Sequence, residues 1–276
     1  MKSISPQDIS TKKLHGYLLA AVSPRPICFA STMDSKGNVN LSPYSFFNVF
    51  SANPPVMIFS PARRVRDNTI KHTLENVLET KEVVINVVSY SMVQQMSLSS
   101  TEYEKGINEF VKAGFTEIPS ETIKPPRVAE APVQFECKVI NVVSLGEHGG
   151  AGNLVICAVE RLHIDENILD LEGNIDPAKI DTVGRLGGNW YSRSKEGLFE
   201  VLKPISSMGI GVDSLPEMIK NSSVLTGNDL GMLANVEHLP TAASKFVNGS
   251  EIVHKKAHQL LLDGKIKEAW ELLISP

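Results

Sequence analysis

Residues 133–145 and 154–164 form two long runs of alternating apolar and polar side chains, separated only by Gly146-Glu147-His148-Gly149-Gly150-Ala151-Gly152. Runs joined this closely pair antiparallel, because parallel strands need a long crossover between them. The glycines supply turn geometry at a flexible tip, where His148 is expected to be exposed. The join is not a phosphate loop, since no Lys-Ser/Thr follows it and a strand, not a helix, comes next. Shorter runs agree with this hairpin. Residues 27–32 suit a strand buried on both faces, Asp34-Ser35-Lys36-Gly37 supplies a turn, 38–42 returns, 56–59 follows Pro54-Pro55, and 83–88 is a β-branched central strand. Turn-separated strands with few helices between them predict a mainly β fold, a closed or split β-barrel with peripheral helices. A dinucleotide-binding parallel sheet fails, because no Gly-x-Gly-x-x-Gly follows the first strand and opens a helix.

Residues 23–73 read as a cofactor cradle. Pro24 and Pro26 hold the backbone extended around Arg25. Tyr44-Ser45-Phe46-Phe47-Asn48 mixes rings with hydrogen-bonding side chains, which suits a flat heteroaromatic ligand; the alternative is a plain core of Phe46, Phe47 and Phe50. Arg63, Arg64, Arg66 and Lys71 then gather just before Thr73, where Leu74, Val77 and Leu78 mark a helix over about 72–80. A helix start carries unpaired N–H groups and partial positive charge, so cations and hydroxyls beside it make a phosphate site from Ser60, Arg63, Arg64, Lys71 and Thr73. On charge alone, a solvated basic surface competes with this reading.

The order Pro24-Arg25-Pro26-Ile27, Ser31-Thr32-Met33-Asp34, Asn40 through Asn48 and Asn53-Pro54-Pro55 closely resembles the flavin reductase-like proteins with an FMN-binding split barrel. Lys71-His72-Thr73-Leu74 is similar to that family's phosphate segment, although His72 stands where the family usually has Asp and the loop between Arg64 and Lys71 is a residue longer. Pro125-Pro126-Arg127-Val128, Ala131-Pro132, Glu136-Cys137 and Gly184-Arg185-Leu186-Gly187-Gly188 continue the resemblance. It covers about the first two hundred residues, so 1–197 is expected to be the flavin-binding domain. It implies a Greek-key split barrel, bound FMN, a homodimer with cofactors at the subunit junction, and NADH or NADPH as reductant. Ser42, Tyr44, Ser45 and Asn48, with backbone from the Arg25 strand, would line the ring system. The segment holding Arg185 and Gly187 would lie beside it, where backbone approaches closely.

The 276 residues suffice for a large domain with an appendage. A net charge of −4 argues against a nucleic-acid partner. The start has no apolar core like a signal peptide, and no run approaches the roughly 20 apolar residues that span a bilayer, so a cytoplasmic protein without a membrane partner is expected. Cys28, Cys137 and Cys157 read as buried hydrophobes. Residues 8–21 predict a short helix, 91–97 a helical turn, 99–114 a helical excursion, and 119–132 a proline-rich surface loop.

Residues 198–276 predict a helical C-terminal extension, punctuated by Pro204 and Pro216. Ile266, Trp270 and Leu273 share a helix face that is expected to dock on the barrel or on a partner subunit, as a lid over the outer side of the flavin or a dimer element. His254 and His258 lie four apart, but no Glu follows the first as a zinc protease would need, and no metal is expected. No nucleophile–base or paired-carboxylate arrangement points to side-chain catalysis. The leading function is an FMN-dependent oxidoreductase that takes hydride from NADH or NADPH and passes electrons to a small-molecule acceptor such as free flavin, or to a redox partner protein. The alternatives are an FMN electron carrier without a nicotinamide site and a flavin-storing or structural barrel.

Overall fold

Seven strands form one antiparallel sheet, in the order 39–44, 28–33, 82–87, 133–144, 153–164, 55–59, 47–52. The computed structural model describes residues 1–201, 208–244 and 246–275, so Pro204 lies outside the described residues. Helix α1 (Thr11–Ala21) leads into β1 (Cys28–Met33), which pairs with β2 (Val39–Tyr44) through the expected turn. There Asp34 Oδ1 accepts from the N–H groups of Lys36 at 2.9 Å and Asn38 at 2.8 Å, and Gly37 takes a φ of +90°. Strands β3 (Phe47–Ala52) and β4 (Pro55–Phe59) make a second hairpin, then α2 (His72–Thr80) packs under the sheet and β5 (Glu82–Val87) runs through its middle.

The topology rolls the sheet. β2 ends at Tyr44 and β3 starts at Phe47, yet the two strands occupy opposite edges. So short a link can join them only if the sheet curls until its edges approach. β2 and β3 share no ladder, so the roll stays open along that seam. β1 explains how both faces are used: Cys28 and Ala30 join one buried cluster with Met57, Phe59, Leu74, Val77 and Ile85, while Ile27 and Phe29 join another with Leu41, Met92, Met96 and Phe110. Period-2 alternation thus feeds two cores from one strand. All three cysteines are buried in the first cluster, and burial pushes the Cys157 thiol up to about 12.

After α3 (Val93–Leu98), residues 99–114 hold only one short helix, α4 (Glu109–Ala113), ended by Gly114 at a φ of +72°. Two-residue strands β6 (Glu117–Ile118) and β7 (Arg127–Val128) bracket the proline-rich stretch. That stretch is not simply a surface loop. Ile123, Val128 and Ala131 are buried, and the fully buried Glu136 carboxylate accepts from the N–H groups of Glu121 (2.8 Å) and Thr122 (2.7 Å) and from Thr122 Oγ1 (2.6 Å). The hairpin of β8 (Val133–Ser144) and β9 (Asn153–Ile164) is the one predicted from alternation. α5 (Pro177–Ile180) precedes a ribbon of β10 (Val183–Arg185) and β11 (Tyr191–Arg193).

These elements belong to a unit spanning Met1–Leu198; a second unit spans Phe199–Pro276. The second contains α6 (Glu217–Lys220), α7 (Gly227–Ala234), α8 (Glu251–Leu262) and α9 (Ile266–Leu273) around its own core of Leu215, Ile219, Leu233, Leu261, Trp270 and Leu273. Trp270 Nε1 donates to the Leu233 carbonyl at 3.2 Å. The expectation that the Ile266–Trp270–Leu273 face docks elsewhere is therefore corrected: Trp270 and Leu273 are buried inside the unit itself, with Ile266 packed against them. Amphipathicity shows that a face must be covered, and here short helices from the same unit cover it. His254 Nδ1 pairs with Ser222 Oγ at 2.7 Å and His258 Nδ1 with Asp229 Oδ2 at 2.8 Å, so both histidines fasten α8 to the turn before and into α7.

Candidate ligand site

The stretch from Ser60 to Lys71 leaves β4 and enters α2, and it is fastened to the β8–β9 hairpin tip. Arg63 N donates to the Ala151 carbonyl at 2.8 Å, Gly150 N to the Arg63 carbonyl at 2.9 Å, and Asn153 Nδ2 to the Pro61 carbonyl at 3.0 Å. The tip glycines do more than turn the chain. A Cβ on Gly149 would lie 2.9 Å from the Arg64 carbonyl oxygen, and one on Gly152 would lie 2.7 Å from Ser60 Oγ. At Gly149, where the neighbour is backbone, only glycine allows this approach; at Gly152 the Ser60 hydroxyl would have to turn away. His148 is exposed at the tip.

Within the loop the two arginines work largely on their own backbone. Arg63 donates to Asn68 Oδ1 at 2.7 Å and to its carbonyl at 2.8 Å; Arg64 donates to Thr69 Oγ1 at 3.0 Å and the Ile70 carbonyl at 2.7 Å, and pairs with Glu102 at 3.3 Å. Asn68 is the hub that sequence reading missed. It takes a φ of +59°, and its Nδ2 reaches the Glu147 carbonyl at 2.9 Å. The signal was an Asn in a polar loop, a residue that tolerates left-handed backbone.

Lys71 differs from the arginines. It is partly buried at the α2 N-cap, and among the described residues it pairs with no carboxylate; its ammonium lies 5.5 Å from the Tyr44 ring centroid. Burial, and then the neighbouring Arg64 charge, lower its pKa. A cation short of a counter-charge beside a helix start is a place for an anion. Thr73 is placed otherwise: it is fully buried, and its Oγ1 donates to Asn40 Oδ1 at 2.9 Å, so its hydroxyl braces β2 against α2 instead of facing solvent. Tyr44 is buried on the adjoining strand, its hydroxyl beside those of Thr73 and Ser42 but in no well-aligned hydrogen bond among the described residues. Ser60, also buried, has its N–H bonded to the Phe46 carbonyl at 2.9 Å.

The other predicted residues gather where β1 begins. Arg25 is only 5% exposed; its Nε donates to Ser45 Oγ at 3.3 Å and its Nη2 to the Leu186 carbonyl at 3.1 Å, and Nη1 reaches the carbonyls of Leu19 and Val22. Its backbone exchanges two hydrogen bonds with Arg185, at 2.9 and 2.8 Å. Arg185 in turn lies 4.6 Å over the Tyr191 ring and donates to the Trp190 carbonyl at 3.0 Å. Gly187 sits against α1, where a Cβ would come within 2.9 Å of Ala20 Cβ. Ser42 accepts from Asn40 Nδ2 at 3.4 Å. Asn48 is exposed, its Oδ1 accepting from the Val49 N–H at 2.8 Å. Phe46 and Phe50 are exposed too, at 39% and 63%, so the plain-core alternative fails for both, while Phe47 packs against the first cluster. Phe47–Ala52 forms a strand that the sequence pattern does not predict.

The arrangement offers one cation, Lys71, paired with no carboxylate among the described residues, a buried phenol beside it, free edges of a rolled sheet and glycine-lined close approaches. Those features fit an anionic tail and a planar polar ring. Among the described residues no group of three His, Cys, Asp or Glu could hold a metal ion, and the thiols are buried with raised pKa values.

Comparison with known proteins bears on the same region. The family described as the flavin reductase like domain matches residues 20–177. A protein of Aquifex aeolicus is 40% identical over 182 residues, covering 66% of this chain and 90% of its own. The solved structure of nitrilotriacetate monooxygenase component B from Bacillus cereus is 30% identical with a TM-score of 0.67, covering 74% of this chain and 98% of that one. A Shewanella frigidimarina protein described as a flavin reductase with split barrel domain is 26% identical with a TM-score of 0.63, covering 74% and 100%. The Phe199–Pro276 unit lies beyond the residues that the family matches.

Proposed function

This chain belongs to the flavin reductase like domain family, and from that premise we propose that it is an FMN-dependent oxidoreductase of the cytoplasm that takes hydride from NADH or NADPH. The electrons then pass to a small-molecule acceptor or a redox partner protein. The observation that carries the reading is Lys71: a partly buried cation at a helix start, paired with no carboxylate among the described residues and lying over the buried Tyr44 ring. FMN presents a phosphate to the first and a ring rich in acceptors nearby. The bound flavin would supply the two-electron chemistry, and the protein would hold and orient it.

In this reading Lys71, Ser60 and the loop of Arg63 and Arg64 hold the phosphate, and Thr73 acts from behind by fixing β2 to α2. Ser42, Ser45 and Asn48 line the ring, with the Arg185–Gly187 turn closing one side. The rolled, unclosed sheet supports the split-barrel architecture. A second copy of the chain completes the assembly. In favour of this, α1 buries none of its residues, and Tyr17, Leu18, Val22, Val49 and Phe50 are each at least 43% exposed.

The test is direct. Purified protein is titrated with FMN by fluorescence quenching, then mixed anaerobically with NADH and with NADPH while the flavin absorbance is followed. Rapid bleaching of the flavin band by either nucleotide supports the proposal. Tight FMN binding with no reduction by either leaves an electron carrier, and no FMN binding refutes the cofactor assignment.

A further inference from the structure

Helix α1 is held in an unusual way. It is 11 residues long and even Leu14 and Leu19 are only half-buried, so apolar packing within its own unit anchors it weakly. Yet it meets the surroundings of the candidate site at several points. At its start, Thr11 Cγ2 lies 3.3 Å from where a Cβ on Gly150 would stand, beside Val65 of the arginine loop. Midway, the His15 ring meets Phe46 edge-on at 6.2 Å. At its end, Ala20 packs on Gly187. Its last carbonyls, those of Leu19 and Val22, go to the Arg25 guanidinium.

Arg25 is suited to this work and to little else. Its planar fork reaches four acceptors in three separate segments: the end of α1, Ser45 in the β2–β3 turn, and Leu186 in the β10–β11 turn. With 5% exposure it has no free edge for a ligand. A buried guanidinium without a carboxylate also depends on every one of those carbonyls for compensation.

We propose that Arg25 is a positioning residue that pins α1 as a strap across the candidate flavin site, joining its phosphate end to its ring end. This rests on the flavin reading above for the identity of the ligand, but not for the pin. Without the guanidinium, the helix loses its polar anchors, Ser45 and the 186–187 turn lose their common tie, and the site opens at the ring end.

The experiment compares the full-length protein with Arg25→Gln, Arg25→Lys and Gly187→Ala. Gly187→Ala disturbs the seat of α1 from the opposite side with Arg25 intact, and it stands in should the Arg25 variants fail to fold. Two quantities are read: the rate of tryptic cleavage within α1 after the exposed Lys12 and Lys13, and the FMN dissociation constant. The expected result is faster α1 cleavage and FMN binding weakened about tenfold or more in Arg25→Gln, the same direction in Gly187→Ala, and partial rescue in Arg25→Lys. Weakened FMN binding with α1 cleaved at the wild-type rate would make Arg25 a direct ligand contact and overturn the proposal. Faster cleavage with unchanged FMN affinity would overturn it too, by removing α1 from the site. If the wild-type protein takes up no FMN, the flavin reading falls by itself, and accelerated α1 cleavage in both the Gln and Ala variants still supports the pin.

Discussion

The Lys71 ammonium lies 5.5 Å from the centroid of the Tyr44 ring, whose hydroxyl is buried without a well-aligned hydrogen bond among the described residues. A cation without a carboxylate partner and a buried hydroxyl without a well-aligned one thus belong to neighbouring side chains at the junction of β2 and α2. A poorly paired buried hydroxyl and a partly desolvated cation both destabilise the folded chain unless a ligand satisfies them. That pairing makes the site a place where binding energy is stored.

The first prediction concerns Lys71. A charged hydrogen bond contributes roughly 1.5–3 kcal/mol, so Lys71→Ala should weaken FMN binding by about tenfold or more. Because the native ammonium has no protein carboxylate to leave behind, the melting temperature of the FMN-free protein should hold or rise. Fluorescence titration and thermal unfolding on the same samples read both, and an unchanged dissociation constant would remove Lys71 from the phosphate site.

Thr73 should behave in the opposite way. Its hydroxyl is fully buried against Asn40, so Thr73→Val leaves Asn40 Oδ1 unpaired and should destabilise the FMN-free protein by about 1–3 kcal/mol. Urea unfolding measures the change. A loss of FMN affinity with full stability would show that the hydroxyl turns toward the ligand.

Gly149 tests the fastening of the hairpin tip to the arginine loop. A methyl there would lie 2.9 Å from the Arg64 carbonyl oxygen and 3.0 Å from Val65 Cα, both backbone, and overpacking of this kind destabilises by about 1–3 kcal/mol. Gly149→Ala should therefore lower both stability and FMN affinity. Gly37→Ala is the comparison: nothing lies within 4 Å of its Cβ position, so only the strain of its φ of +90° is felt and FMN affinity is unaffected. Equal FMN affinities in the two variants would argue that the tip does not support the site.

Glu136 sets an acid limit. Burial alone would raise its pKa, but hydrogen bonds from Thr122, Glu121 and His163 hold it at about 2. A carboxyl whose folded pKa is depressed gives stability that is present above its unfolded value near 4.5 and is lost as pH falls toward its folded value. Stability should decline between about pH 5 and pH 2. In Glu136→Gln the protein should be less stable at pH 7 and its acid limb shallower, as pH-dependent urea unfolding will show; parallel curves for the two proteins would locate the acid sensitivity elsewhere.

Much of this protein is written in local pattern. Alternation over 133–164 determined the β8–β9 hairpin, the both-face burial of 27–32 determined that β1 lies between two cores, and Leu74 and Val77 at helical spacing determined α2, because such periodicities report directly which face of an element must leave water. The ordered motifs determined the family. Tertiary structure alone decided what each polar side chain does. Thr73, Arg25 and Asn68 carry the same residue types that a ligand contact would use, yet Thr73 meets Asn40 across 33 positions and Arg25 meets Leu186 across 161. A donor's partner is chosen by where the rolled sheet brings distant carbonyls, and no local period encodes that. β3 was not legible for a related reason: it is an edge strand with four of its six residues exposed, so burial leaves little alternation in it to read. The face of Ile266, Trp270 and Leu273 shows the same division, since its sequence required that it be covered, and only the packing of α7, α8 and α9 around Leu233 decided by what.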